Sequence, residues 1–398
     1  MEDDSHTRRT FVTGGLGAVT AGLLAGCGQS SGDGTSTESP RTTTDQSTAT
    51  ETDSASSTTT DDGADGVETP YSVSIEPVGE VTFESVPETW VANNGSWADM
   101  GIALGLEPPK GVWLKGRYHT QYYDSIPGLS VDKSDMVSLY QDGVSKELLY
   151  DLDGDVYVMD PNFLMNRFKG WDESDVEDIA DNVGPFFGNC IYAQHYPWHD
   201  DYRYYTLYEG FEKLATVFKR TDRYEAFVDI HDDFTANLAP HVPNTSEAPA
   251  AAVLWGVGDN PEQYYPYIIG SGTGFKHLRD LNVRDALAET DIKDFHGSRA
   301  AIDIETLLDV DPEVLLLRGY EGKTTEEFQN TVVSFLEDHS LASALTAVQN
   351  GDVYRAGGLY PGPITNMVLT ERVGSDLYDI DEELFDRQRV VDVVNGEF

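Results

Sequence analysis

The chain has little positive charge. It carries 26 Lys and Arg residues against 70 Asp and Glu residues, a formal net charge of −44. A surface that binds nucleic-acid phosphates needs a basic patch, so this balance excludes nucleic acid as a partner. The acidic residues are spread along the chain beside an apolar fraction of 39%, whereas a disordered acidic tail would be a block. Diffuse acidity of this kind is typical of folded proteins adapted to high salt, where counter-ions screen self-repulsion.

Cysteine is almost absent as well. The two cysteines are Cys27 and Cys190, which excludes a disulfide framework. Cys190 lies in the apolar stretch FFGNCIYA, and we interpret it as a small buried side chain rather than a ligand or nucleophile.

The sequence also lacks a long apolar run. The stretch Phe11–Gly26 has 16 residues, five of them glycine, whereas a membrane-spanning helix needs about 20 strongly apolar residues. It follows Arg8 and Arg9 and ends in Leu24-Ala25-Gly26-Cys27. This order predicts a twin-arginine lipoprotein signal peptide over residues 1–27, with a lipid attached to Cys27. The alternative is a short N-terminal helix with an incidental cysteine.

Residues 28–70 consist mainly of Ser, Thr, Asp, Gly and Glu. Such a segment buries too little apolar surface to offset the entropy of ordering it. We predict a disordered tether that holds the remaining 328 residues away from a surface. That length favours two lobes over one.

The rest of the chain alternates short apolar strands with helices. Trp90–Ala92 is predicted as a strand, followed by a turn with a helix cap at Asn93–Ser96 and a helix over Trp97–Leu104. Strands at Val156–Met159 and Val314–Leu317 each follow a leucine-containing helix. Because these strands lack polar alternation, we expect parallel sheets covered by helices on both faces. Between the halves, apolar residues at helical spacing predict about 30 residues of helix, roughly 45 Å in all, ending at Pro240. Thr221 and Asp222 could cap a new helix within this stretch.

Three later segments resemble a known family. They are VDPEVLLLRG, the glycine-rich turn YIIGSGTGFKHLRDLNV, and the last segment AVQNGDVYRAGGLYPGPITNMVLTERVGSDLY. In this order they resemble the class III substrate-binding lipoproteins of ABC importers, which carry iron–siderophore complexes, haem or cobalamin, and in charge and signal peptide those of haloarchaea. The first-lobe stretch VWLKGRYHTQYYDSIPGLSV matches no ligand subgroup that we can name.

The resemblance implies an α/β fold of the helical-backbone metal-receptor type, with two lobes of mostly parallel sheet joined by a long connecting helix. It implies an N-terminal lobe at 71–205, connecting helices at 206–240 and a C-terminal lobe at 241–398. It also implies a monomer on the outer side of the cytoplasmic membrane, held by its lipid. This protein would take an iron(III) chelate, haem or cobalamin to an ABC permease, with no covalent cofactor other than the lipid.

Ligand contacts are expected where strands end and where arginine or aromatic residues stand in loops, because guanidinium groups bind anionic oxygens and rings bind apolar ligand faces. The predicted contacts are Asn93, Asn94, Trp97, Arg117, Tyr118, Asp160, Asn162, Phe163, Tyr202, Arg203, Trp255, Arg299, Arg318 and Tyr360.

Three other functions compete with this one. An extracellular α/β enzyme finds little support, since GSGTG at 270–274 lacks both the spacing of a dinucleotide loop and the Lys-Ser/Thr of a phosphate loop. No nucleophile, base and orienting group can be assembled either, so we expect no catalytic residues. A metal-binding surface protein would use His195 and His199, which are weak candidates because Pro197 disfavours a helix between them. An adhesion protein is disfavoured because the sequence has no repeats.

Overall fold

The computed structural model describes residues 69–194 and 196–398. The predicted signal peptide 1–27, its Cys27, the tether up to residue 68, and His195 lie outside the described residues. The described residues form the strands β1 (Tyr71–Ile75), β2 (Gly79–Phe83), β3 (Trp90–Ala92), β4 (Gly111–Val112), β5 (Val137–Ser138), β6 (Val156–Val158), β7 (Ala250–Gly256), β8 (Gln263–Tyr267), β9 (Arg284–Asp285), β10 (Ile302–Asp303), β11 (Val314–Arg318) and β12 (Val353–Arg355).

The helices lie mostly between these strands, as in other α/β proteins. They are α1 (Gly95–Ala103), α2 (Lys146–Leu152), α3 (Pro161–Arg167), α4 (Glu173–Asn182), α5 (Leu207–Val217), α6 (Thr221–Leu238), α7 (Lys276–Asp280), α8 (Phe295–Ser298), α9 (Ile304–Val310), α10 (Thr325–Phe328), α11 (Ser334–Asp338), α12 (Thr346–Asn350), α13 (Pro363–Tyr378) and α14 (Arg387–Asn395).

The first lobe is built on short parallel strands. β3 pairs with β6, and β4 pairs with β5, both in parallel. β4 lies beside β3, because the Trp113 N–H donates to the Asn93 carbonyl at 2.9 Å. Tyr157 of β6 forms a further parallel bridge with Phe186. The order β5–β4–β3–β6 therefore brings the loops after β3 and β6 to one edge of the lobe.

The second lobe contains a six-stranded sheet in the order β10–β8–β7–β11–β12, with β9 beside β7. β11 pairs in parallel with β7 and β12, and all five of its residues are buried. The expectation of mostly parallel sheets in an α/β fold is thus confirmed. The antiparallel strands β8 and β10 form one edge of this sheet.

The helical connection consists of two helices rather than one continuous helix. α5 and α6 are separated at Lys219, whose φ of +53° is incompatible with a continuing right-handed helix. Arg220 occupies the N-cap position of α6 without a side-chain cap, so Thr221 and Asp222 begin the helix instead of capping it. α5 has 11 residues and α6 has 18, close to the predicted helix content, but the longer helix alone spans only about 27 Å.

Hydrogen bonds join the two lobes directly. The buried carboxylate of Asp99, on α1, accepts from the backbone N–H groups of Ile364 (2.9 Å) and Thr365 (3.1 Å) in the first turn of α13. Ser96 Oγ lies 2.9 Å from Thr273 Oγ1. The last helix, α14, follows the second lobe in the chain but packs on α1 of the first lobe and on α6. These contacts fix the edges of the two lobes against each other.

Among the described helices, none is both long and apolar enough to cross a membrane.

Candidate functional site

The carboxyl ends of the central strands meet where the two lobes face each other. Asp160 follows β6, Trp255 lies near the end of β7, and Arg318 is the last residue of β11. Ligands in parallel α/β folds commonly bind beyond these strand ends. The boundary between the lobes is therefore the candidate location of a binding site.

Aromatic rings and guanidinium groups line the outer edge of this boundary. Arg117, from the first lobe, lies with its Cζ 4.7 Å from the ring centre of Trp255 in the second lobe. Both side chains are half-buried. A guanidinium group over an indole face is held there by the ring quadrupole, while its N–H edge stays available to a ligand.

A second group of rings crosses the boundary nearby. Tyr360 meets Tyr192 edge-on at 5.4 Å between ring centres. Tyr196, from the first lobe, meets His296 of the second lobe edge-on at 5.3 Å. The guanidinium of Arg299 lies 5.9 Å from the Tyr196 ring centre. We call the residues Arg117, Arg167, Tyr192, Tyr196, Trp255, Arg299 and Tyr360 the rim cluster.

The two exposed arginines of the rim cluster come from different lobes. Arg167 ends α3 with its guanidinium over Phe163 at 5.9 Å. Burial, followed by the charge of nearby Arg167, lowers the pKa of Arg299. Arg117, Arg167 and Arg299 form no ion pair and donate no side-chain hydrogen bond within the described part of the chain. In so acidic a protein, neighbouring cations left without carboxylate partners mark a place for an external anion.

Arg318 lies beneath the rim cluster and is 1% exposed. It donates to the Gly274 carbonyl and lies 4.6 Å from the Phe275 ring centre, while its Nε has no partner among the described residues. Burial lowers its pKa to about 10. Arg318 is thus an interior residue of the second lobe, and we remove it from the direct ligand contacts.

Several predicted contacts belong to the interior instead. Trp97 is fully buried in the core, and Tyr118 is bonded to Tyr123 through their hydroxyls at 2.8 Å. Asn94 caps α1 by accepting from the Ser96 N–H at 2.9 Å, as predicted for this turn, and its Nδ2 donates to Asn93. We remove Asn93, Asn94, Trp97 and Tyr118 from the ligand contacts, because all four side chains are buried.

Arg203 is also removed, for the opposite reason. It is exposed, lies 4.4 Å from the Tyr205 ring centre, and forms a loose ion pair with Glu76 at 3.6 Å. Glu76 belongs to the turn between β1 and β2, which contributes no residue to the rim cluster.

The remaining first-lobe candidates form a buried polar group behind the rim cluster. Asp160 caps α3 and accepts from Asn162 N and Nδ2, both at 2.9 Å, through Oδ1. Its Oδ2 accepts from the Tyr202 hydroxyl at 2.7 Å and lies 3.7 Å from Cys190 Sγ. Burial raises the pKa of Asp160, and burial followed by the Asp160 charge raises the pKa of Cys190. Phe163 packs edge-on against Trp113 at 4.9 Å and supports Tyr196.

Sequence reasoning missed three members of the rim cluster. Tyr192 and Tyr196 stand in the aromatic stretch 192–205 and could have been chosen by their loop position alone. Arg167 gives no local signal, since a basic residue in the last turn of a helix is ordinarily a dipole partner. His199 is half-buried and stacks on Tyr202 at 3.9 Å between ring centres.

The boundary below the rim cluster is tightly packed. A cavity of about 10 Å³ lies beside Tyr122 and Tyr360, and another of about 10 Å³ lies beside Gln194 and His296. Each has room for about one water molecule. Neither cavity could hold a chelate, whereas Arg167 and Arg299 are exposed at the outer edge.

Comparison with known proteins identifies the class. The periplasmic binding protein family model matches residues 91–358, which include both sheets and the helices between them, so the chain belongs to the periplasmic binding protein family. A search of curated protein sequences finds no significant match.

Solved structures share the fold at low sequence identity. A periplasmic binding protein from Veillonella parvula is 13% identical, with a TM-score of 0.55, over 80% of this chain and 100% of that one. The siderophore-binding protein BauB, bound to acinetobactin and ferric iron, is 18% identical, with a TM-score of 0.53, over 79% and 100%. SirA of Staphylococcus aureus, in complex with staphyloferrin B, is 15% identical, with a TM-score of 0.51, over 79% and 100%.

Proposed function

We propose that this protein captures an anionic iron(III) chelate outside the cell and delivers it to an ABC permease. Family membership supports a binding protein rather than an enzyme. Two of the similar structures are described as binding a siderophore or staphyloferrin B, which supports the ligand class. Haem and cobalamin also combine apolar faces with polar edges and remain the alternative ligands.

The rim cluster carries the proposal. It brings three arginines without carboxylate partners, drawn from both lobes, against aromatic faces in a protein of net charge −44. Rings suit the apolar face of a chelate, and guanidinium forks suit its anionic oxygens. Because ligand contacts come from both lobes, a bound chelate would bridge them. We further propose a monomer with lobes at 71–205 and 241–398 joined by helices within 206–240.

The ligand hypothesis is tested by titrating the protein with ferric chelates of different charge and following tryptophan fluorescence. Arg299→Ala should weaken binding of an anionic chelate about tenfold, because a hydrogen bond to a charged group contributes about 1.5–3 kcal/mol. Arg284→Ala is the matched control, since Arg284 is exposed on the same lobe and pairs with Glu313 at 3.2 Å.

An equal loss of affinity in both variants would mean that the change in net charge, and not a contact with Arg299, weakens binding. Unchanged affinity in Arg299→Ala would remove the rim cluster from the binding site. The chelate recovered after binding should be chemically unchanged, whereas a hydrolysed chelate would revive the enzyme alternative.

The localisation is a separate part of the proposal, supported by the signal sequence and by the family. Cys27→Ser should release the protein into the medium or stop processing of the precursor, as checked by fractionation and mass spectrometry of the N-terminus. A variant that is processed normally and remains in the membrane fraction would exclude the lipid anchor.

A further inference from the structure

We propose that Asp160, Cys190 and His199 form a binding site for a single zinc-type divalent metal ion, distinct from the rim cluster. Each residue offers one ligand atom, and the three atoms all lie within 4.8 Å of one another. The residues come from separate parts of the first lobe: the N-cap of α3, the loop after Phe186, and the loop before α5.

The spacing of the ligand atoms suits such an ion. Zinc binds sulfur at about 2.3 Å and nitrogen or oxygen at about 2.0–2.2 Å, so ligand atoms in a tetrahedral site lie roughly 3.3–3.8 Å apart. Cys190 Sγ and the Oδ2 of Asp160 are 3.7 Å apart already. The most widely separated pair of ligand atoms is no more than 4.8 Å apart. One side chain would have to move by about 1 Å to bring that pair to the distance of a tetrahedral site.

The donor set selects the class of metal. Sulfur and imidazole ligands favour zinc-type ions over calcium and magnesium, which prefer oxygen ligands. In the metal-free arrangement the Cys190 thiol donates to the Asp160 carboxylate. The metal ion would take the place of that proton, with the sulfur binding as a thiolate.

The surrounding residues hold the ligands in position. Asn162 binds Oδ1 of Asp160 through two hydrogen bonds, which turns Oδ2 toward Cys190. The His199 ring stacks on Tyr202, and its Nδ1 lies 2.6 Å from the Tyr204 hydroxyl. Hydrogen-bonded supports of this kind orient metal ligands in proteins.

A cation would also balance a buried charge. Asp160 is 2% exposed and forms no ion pair with any lysine or arginine in the described residues. An ionised carboxylate buried without a cation is costly. A bound divalent ion would offset that cost and fasten the loop that carries Tyr192 and Tyr196 to α3. The site would then support one wall of the rim cluster.

The test uses Co²⁺ as the probe, in the full chain carrying Cys27→Ser so that Cys190 is the one thiol present. Measurements are made in molar KCl, because 70 acidic residues would otherwise attract divalent ions. We expect one equivalent of Co²⁺ to give a thiolate charge-transfer absorption in the near ultraviolet, and Zn²⁺ to abolish it.

The variants localise the signal. Cys190→Ser should abolish the absorption, and His199→Gln should weaken Co²⁺ binding at least tenfold. His241→Gln, a histidine more than 40 residues away beside Glu382, should leave it unchanged. Circular dichroism identifies a variant that fails to fold. If Cys190→Ser fails to fold, the Co²⁺ affinities of His199→Gln and His241→Gln are compared to test the site.

Absence of the absorption in the Cys27→Ser chain would overturn the proposal. So would displacement of Co²⁺ by an equal concentration of Mg²⁺, or equal affinities in the two histidine variants. Ferric-chelate binding is measured on the same samples, so that failure of this site and failure of the rim cluster are distinguished.

Discussion

Asp99 shows how one side chain can hold two lobes together. Its carboxylate is fully buried, and it accepts hydrogen bonds from Tyr123 and from the first turn of α13 in the other lobe. A carboxylate at a helix N-terminus is favoured by the unpaired N–H groups there. Burial works in the other direction and raises the pKa of Asp99 to about 6, against an ordinary value of 3.8.

This pKa predicts a pH effect on stability. Between about pH 4 and pH 6 the folded protein retains a proton that the unfolded chain has released, so the stabilisation from Asp99 is lost as the pH rises through about 6. Asp99→Asn removes this dependence. The difference in unfolding free energy between the wild type and Asp99→Asn should change by about 3 kcal/mol from pH 4 to pH 7, as measured by denaturant titration.

Comparing the variant with the wild type is essential, because other groups titrate in the same range. Buried His277, for example, has a pKa lowered to about 3 by burial, and it destabilises the fold as the pH falls. Asp232→Asn, which changes an exposed carboxylate of α6, serves as the control and should shift the curve little. Parallel pH profiles for the wild type and Asp99→Asn would contradict the assignment.

At the scale of elements, the joint between α1 and α13 depends on a close approach. Gly362 precedes α13, and a Cβ atom added there would lie 2.4 Å from the Asp99 Cβ. Gly362→Ala should therefore destabilise the protein by about 1–3 kcal/mol through overpacking, seen as a lower melting temperature.

Gly322→Ala is the matched control for this joint. Gly322 lies in a loop of the same lobe, where an added Cβ atom would meet no neighbouring atom within 4 Å. The control should melt at nearly the wild-type temperature. Equal melting temperatures for the two variants would mean that the joint relaxes without cost.

Local patterns explain why much of this architecture could be predicted. Trp90–Ala92 forms the predicted strand, and β11 contains the strand predicted at Val314–Leu317. Both features depend on neighbouring residues alone. A new helix near Thr221 was predicted, but its break at Lys219 was not, because a lysine in the left-handed region gives no compositional signal.

The candidate site was harder to predict, since it depends on residues far apart in the sequence. Arg117 and Trp255 are separated by more than 130 residues and meet across the lobe boundary. The inward direction of Trp97 is set by the packing of α1 against α5 and α13, which sequence periodicity does not specify. Position after a strand therefore indicates the edge of the sheets where the candidate site lies, but it could not separate lining residues from core residues.

The whole molecule is dominated by its negative charge. With a net charge of −44, repulsion opposes the compact state, and salt reduces it as the Debye length falls from about 10 Å at 0.1 M to about 3 Å at 1 M. The melting temperature should rise markedly between these salt concentrations. An uncharged osmolyte at equal osmolality is the control, and a melting temperature independent of salt would contradict this prediction.

The polar joint between the lobes bears on how tightly a ligand can be held. Separating α1 from α13 would break the hydrogen bonds that the Asp99 carboxylate accepts from two backbone N–H groups. Each such bond contributes about 1 kcal/mol net, since water replaces the lost partner. The two halves of the receptor are thus already fastened before a ligand arrives. Such preorganisation reduces the entropy lost on association, and it leaves the full contact energy of the exposed edge available for affinity.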